Sequence, residues 1–288
     1  MDAVQIGPFY VNWRLFVLFI SVAAGFGIVL LLTRRSMWRT TSLSDILFNA
    51  ILIGFAGWKL SPFLFQPSLI WQQPLKGLLT IGGLFEGAVG IVLAISYLIG
   101  SMLKHGLPLK LLADALGYGA AGFMIVRSIM GGWRYGKGTE LPWGIQLRDP
   151  NFHYHPINVY EGLLAAGLLL IFFVSKMKLG DGRAGQVLFV YGGAGWFAIS
   201  LFSNGEAIFE FFTGLQWMGL VMILIGLLLP RMYILWEGYQ ERSGKVMVQG
   251  DSRAQERQER KNEQSGKKTS PEQSSFDKKL DGPNRPAE

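Results

Sequence analysis

Seven apolar runs follow one another along this chain. Each has roughly 18 to 22 residues, enough to cross a hydrocarbon core of about 30 Å. Lipid offers the backbone no hydrogen-bond partners, so such runs have to be helices. The runs are about Leu15–Leu32, Ile46–Phe65, Leu78–Ile99, Leu111–Met130, Ile157–Val174, Gln186–Phe202 and Leu215–Tyr233. The expected fold is an all-α polytopic membrane protein with seven transmembrane helices. Only 16% of residues are charged, against about 25% in an ordinary soluble domain.

The cations orient the spans. Arg34, Arg35 and Arg39 follow span one; Lys104, His105 and Lys110 follow span three. Lys176, Lys178 and Arg183 follow span five, and Arg231, Arg242 and Lys245 cluster at the end of span seven. The connection after span two holds the single cation Lys76, and the one after span six holds Glu206 and Glu210 and no cation. The positive-inside rule then puts the N-terminus outside and the C-terminus in the cytoplasm. A seven-helix membrane domain is expected over residues 1–237, with an outer polar loop at 131–156. Residues 238–288 read as a disordered cytoplasmic tail, since they mix charges with almost no apolar residues. The first residues lack a basic region followed by a small-residue cleavage site, so no cleaved signal peptide is expected. The formal charge of +7 is assigned to cytoplasmic loops rather than to a nucleic-acid partner. Without cysteine there is no disulfide and no thiolate nucleophile or metal ligand.

Chemistry is sought where polarity interrupts the apolar pattern. Ile129–Glu161 gathers Arg134, Lys137, Glu140, Arg148, Asp149, His153, His155 and Glu161 among glycines and prolines. Such backbone cannot face lipid. By the topology above it lies outside, and cations kept on the disfavoured side imply a task or a partner. Arg127, at the outer end of span four, suits bidentate phosphate binding; the plainer reading is snorkelling to headgroups. Glu86, near the start of span three, either faces the interior with a partner or is simply wet. His155 precedes span five and is a candidate general base beside Glu161, against the plainer reading of a surface histidine. His153 and His155 lack a third ligand, so neither a metal nor another cofactor is expected. Asp114 reads as a cap for the inner end of span four. Trp133, Tyr135 and Trp143 read as interfacial belt residues.

Several pieces in this order resemble the prolipoprotein diacylglyceryl transferase family over about Val4–Leu229. IGPFYVNW resembles its N-terminal segment, and GFAGWKLSPFLF its G-A-R-x-x-Y-V-x-F element. IGGLFEGAVG resembles G-G-x-S-x-H-G-G. TELPWGIQL and HPINVYEGLL resemble L-P-W-G and H-P-x-Q-L-Y-E-x-L, and VYGGAGWFAISLF and GLQWMGLVMILIG its last two spans. The resemblance implies a multi-pass protein of the bacterial cytoplasmic membrane. Such a protein would transfer diacylglyceryl from phosphatidylglycerol, an anionic lipid, to the cysteine thiol of a membrane-anchored preprolipoprotein. It implies catalytic roles for His155, Glu161 and Glu86, and substrate binding by Arg127, Arg134, Lys137, Tyr160 and Tyr191.

The chain also departs from the family pattern. VRSIMGGWRYG stands in place of G-R-x-G-N-F-x-N-x-E and keeps only Arg127. Glu86 replaces a histidine, the span-six arginine falls at Gly195 or Trp196, and Arg14 follows Trp13 where an aromatic is usual. These departures favour an alternative: a non-catalytic paralogue that binds anionic lipid or lipopeptide as a scaffold. A small-solute transporter is disfavoured, because paired broken helices are not found in corresponding halves.

Overall fold

A computed structural model describes residues 3–6, 9–36, 43–73, 84–147, 151–204, 207–208 and 212–243. Six helices in it have the length and composition to cross a membrane. They are α1 (Trp13–Arg35), α2 (Leu43–Phe65), α4 (Leu84–His105), α5 (Leu109–Met130), α6 (Ile157–Val174) and α8 (Gly214–Arg242). A short α3 (Ser68–Gln72) follows α2. The run expected as span six is helical in three abutting pieces, Arg183–Val187, a π turn at Leu188–Gly192, and Gly193–Ser200. We call residues 183–200 α7.

The structure is not purely helical. β1 (Ala3–Ile6) pairs antiparallel with β2 (Phe9–Asn12). β3 (Tyr135–Thr139), β4 (Ile145–Gln146) and β5 (His153–Pro156) form a sheet in the order β3-β5-β4, and β6 (Ala207–Ile208) pairs with β7 (Phe212–Thr213). The cause is local. The stretch expected as a loop at 131–156 is too rich in glycine and proline for helix, yet its amides need partners, and short antiparallel pairing supplies them. Helix limits differ modestly from expectation. α4 starts at Leu84, residues 74–83 lying outside the described set, and α8 runs to Arg242 through Pro230. Trp236 Nε1 and Gln240 Nε2 donate to Leu107 O at 3.0 and 2.9 Å, which ties that last stretch down. Residues 238–242, expected in the tail, are therefore helix. Arg148, Asp149 and the tail beyond residue 243 lie outside the described residues.

Helices pack here through small residues, as expected where lipid is as apolar as the side chains. A Cβ at Gly25 would sit 2.5 Å from Gly119 O, joining α1 to α5. One at Gly90 would sit 2.4 Å from Gly54 O, joining α4 to α2, and one at Gly117 would sit 2.8 Å from Ala184 O, joining α5 to α7. α5 is the hub, packing on α1, α6 and α7, whereas α4 packs chiefly on α2. One core cluster is Tyr118, Ala121, Leu168, Phe172, Ala184 and Leu188.

Asp114 is fully buried and accepts from three backbone amides, Gly180, Gly182 and Gly185, at 2.9, 2.7 and 3.0 Å. It therefore caps the start of α7 rather than the inner end of its own helix, whose N-cap is Pro108. Gly182 has φ +81°, a left-handed conformation that suits glycine and aims its amide at the carboxylate.

Candidate functional site

The first turn of α1 and the last turn of α5 meet at one end of the bundle. Asn12 Oδ1 accepts from Arg14 N at 2.9 Å and starts α1. Trp13 Nε1 donates to Met130 O at 3.2 Å and holds that start against the end of α5. The chain then turns through Gly131 and Gly132, the latter at φ +76°, and returns Arg134 toward Arg127. The result is a cavity of about 900 Å³ walled by Trp13, Trp58 and Trp133 and carrying Arg14, Arg127 and Arg134. Leu18, Trp58 and Phe123 also line a second space, an apolar groove of about 820 Å³ between α1, α2, α4 and α5. A cationic chamber thus adjoins an apolar groove.

Arg134 is held from several directions. Its guanidinium pairs with the Glu161 carboxylate. Its amide donates to Asn158 Oδ1 at 3.2 Å, and its carbonyl accepts from Ile157 N at 2.9 Å. Asn158 also exchanges two hydrogen bonds with Ser128 near the end of α5: Ser128 Oγ donates to Asn158 O, and Asn158 Nδ2 donates to Ser128 O at 3.3 Å. Asn158 therefore joins the end of α5, the turn at Arg134 and the start of α6. Arg127 is within electrostatic reach of both Arg134 and Glu161.

A second polar group sits on the small sheet. His155 is fully buried. Its Nε2 is 2.7 Å from Thr139 Oγ1, its Nδ1 is 2.9 Å from Tyr160 Oη, and its ring lies 4.4 Å from that of Phe202. A neutral ring donates through one nitrogen and accepts through the other, and both hydroxyl partners serve either way. Burial, then the neighbouring His153, lower the proton affinity of this imidazole from its ordinary value. Lys137 N donates to Phe202 O at 2.7 Å, which fixes the sheet against the end of α7.

The family model for prolipoprotein diacylglyceryl transferase matches residues 2–232. The chain belongs to this family. It is similar to a phosphatidylglycerol–prolipoprotein diacylglyceryl transferase of Streptomyces griseus, 31% identical over 220 residues, covering 67% of this chain and 64% of the relative. A second relative, from Streptomyces coelicolor, is 31% identical over 51% of this chain and 46% of its own length. One from Solidesulfovibrio magneticus is 27% identical over 78% of this chain and 91% of its own length. The match thus spans less than two thirds of the first two relatives. Family membership and six helices of spanning length make this a multi-pass protein of the bacterial cytoplasmic membrane.

The transferase-family residues singled out by sequence fall into distinct places. Arg127 and Arg134 line the cavity, and Glu161, which does not, pairs with Arg134. His155 and Tyr160 form the separate group with Thr139 and do not line it. Glu86 sits in the first turn of α4, partly exposed, where its carbonyl is 3.5 Å from Ser61 Oγ; it does not line the cavity either. Lys137 projects from an exposed strand position, and Tyr191 is 62% exposed within the π turn of α7. Two residues were missed. Asn158 occupies an unremarked position of HPINVYE, although an asparagine in the first turn of an otherwise apolar helix is a signal. Arg14 stands in the sequence only as a departure from the family pattern, although a cation one residue after Trp13, at the head of an apolar run, is a signal too.

Proposed function

We propose that this chain is a phosphatidylglycerol–prolipoprotein diacylglyceryl transferase. In this reading seven helices cross the membrane, with α7 as the sixth. Eighteen residues at 1.5 Å each reach about 27 Å, close to the hydrocarbon thickness. The N-terminus lies outside and the C-terminus in the cytoplasm. Arg34 and Arg35 at the end of α1, Lys104 at the end of α4 and Arg242 at the end of α8 support that orientation. A cytoplasmic reporter fused after Gln249 is expected to be active; activity of a periplasmic reporter there overturns the topology.

The observation that carries the functional reading is the guanidinium-bearing chamber that shares a wall with an apolar groove. That pairing fits a diacyl lipid with a phosphate headgroup: chains in the groove, phosphate among Arg127 and its neighbours. The acceptor is the cysteine thiol of a membrane-anchored preprolipoprotein. Its sulfur attacks the diacylglyceryl carbon that bears the phosphate, and the carbon–oxygen bond breaks. The electron pair leaves with oxygen as glycerol phosphate, and the thiol proton passes to water. The phosphate passes from one negative charge to two, and fixed guanidiniums stabilise that change. Arg134 is oriented for this by Glu161 and Asn158. His155 positions the sheet and the start of α6 through Thr139 and Tyr160.

Complementation tests the reading. The chain is expressed in cells depleted of their own diacylglyceryl transferase, and lipoprotein modification is followed by mass. Modified lipoprotein that disappears with Arg127→Ala is expected. Absence of modification despite membrane expression overturns the transferase.

A further inference from the structure

The sheet of β3, β5 and β4 is amphipathic in the sense opposite to a cover with water above it. Ile145 pairs with Tyr154 and Gln146 with His153 across β4 and β5; Gly138 pairs with Tyr154 and Thr139 with His153 across β3 and β5. Alternation along the strands then puts Thr139, Gln146, His153 and His155 on one face. That face turns toward the protein, since the buried His155 ring lies on Phe202 and is hydrogen-bonded to Tyr160 and Thr139. The opposite face carries Ile145, Tyr154 and, one step further along the hairpin, Leu147 and Phe152. A Cβ at Gly138 would meet Phe152 Cβ at 3.1 Å and Tyr154 Cε1 at 3.3 Å, which places both side chains on this second face. Ile145, Leu147 and Phe152 are exposed. A sheet roofed by water turns its apolar side chains inward and its polar ones out; this one does the reverse.

The chain itself limits how far this face can stand from lipid. α6 has 18 residues, which rise about 27 Å, close to the roughly 30 Å of the hydrocarbon core. Its first residue, Ile157, is therefore at the hydrocarbon edge, and β5 ends at Pro156, the residue before it. At the other end of the segment, β3 starts at Tyr135, soon after α5 stops at Met130. Two exposed tryptophans, Trp133 and Trp143, stand just ahead of β3 and β4, and indole favours the headgroup layer. Four side chains fall short of the roughly 800 Å² per partner of a stable protein interface, so lipid fits this face better than a second copy does. We propose that the face formed by Ile145, Leu147, Phe152 and Tyr154 is a membrane-contacting surface seated in the headgroup layer of the bilayer. β3 begins directly after Arg134, so the same seat holds that guanidinium at the level of the lipid phosphates. The contact depends on the membrane-spanning helices and not on the transferase activity.

The chain has no cysteine, so single-cysteine variants of the full-length protein accept one nitroxide each. Ile145→Cys, Leu147→Cys and Phe152→Cys probe the face, and Gln146→Cys probes the opposite one. Leu163→Cys, at an exposed position of α6, gives the lipid reference. Each protein is reconstituted in vesicles of phosphatidylcholine and phosphatidylglycerol, and nitroxide collisions with dissolved oxygen are compared with collisions with a water-soluble nickel chelate. The oxygen-to-nickel ratio at the three face positions is expected to lie between those at the Gln146 and Leu163 positions. It should exceed the Gln146 value about threefold or more, as for side chains about 5–10 Å into the headgroup boundary. Ratios equal to the Gln146 value put the face in water and overturn the contact. Few collisions with either reagent at all three positions mean that protein covers the face, which overturns it equally. A second variant tests whether the apolar side chains hold the sheet in place. Ile145→Asp with Phe152→Asp, added to the Leu147→Cys protein, is expected to lower the ratio there about threefold with the size-exclusion profile unchanged. An unchanged ratio overturns the face as the seat.

Discussion

Arg134 and Glu161 are unequal partners. The arginine side chain is 40% exposed and the glutamate 9%. Arg134→Ala leaves a carboxylate with little water to replace its partner, whereas Glu161→Gln leaves a guanidinium that rehydrates. Arg134→Ala is therefore expected to cost about 1–3 kcal/mol and Glu161→Gln clearly less, read as thermal midpoints in detergent; equal losses would show that burial does not govern the pair. His155 adds a pH dependence with a definite sign. Its folded-state affinity for a proton is lowered, while the unfolded chain protonates near the ordinary value of about 6.5. Its contribution to stability is present above that value and is lost as pH falls through it. The wild type should thus lose more thermal stability between pH 7.5 and 5.5 than His155→Gln does; parallel losses would remove His155 as the cause. Arg127, Arg134 and Glu161 were legible in sequence because each is a charge out of place beside an apolar run. The placements of Arg14 and Asn158 were not, because they depend on α1 meeting α5 across 117 residues and on the turn at Gly132. Neither leaves a local pattern.

Helices announced themselves by length and apolar content, and α6 has the limits expected from sequence. Their contacts did not, since a glycine on the lipid side and a glycine in a helix crossing look alike in a string. A Cβ at Gly185 would lie 2.5–2.7 Å from the Cβ, carbonyl carbon and oxygen of Ala113, while one at Gly27 meets nothing within 4 Å. Gly185→Ala is expected to separate α7 from α5 and sharply reduce folded yield, with Gly27→Ala near wild type in the same size-exclusion assay. Similar profiles would mean that the crossing is not close. The Asp114 cap belongs to the same joint. Asp114→Ala strands three amides, each at about 1–3 kcal/mol, and should abolish folded protein; Asp114→Asn, which keeps an acceptor oxygen, should fall between. The π turn at Leu188–Gly192 and the short strands were illegible for a common reason: both are set by neighbours rather than by residue periodicity.

At the scale of the molecule, α5 ties α1, α6 and α7 into one block, while α4 is held chiefly by α2. The apolar groove runs between that outlying pair and the block. If the groove admits diacyl chains, the pair is the side that gives way, and widening it takes area from the surrounding lipid. The work is lateral pressure multiplied by that area, so the bilayer becomes a mechanical participant in turnover. At fixed phosphatidylglycerol content, transfer in vesicles should slow as cone-shaped neutral lipids raise pressure among the chains. Identical rates would mean that the groove loads without moving. A lipid mixture altered by growth temperature would then tune this protein directly, through the stress stored in its surroundings, with no effector molecule involved.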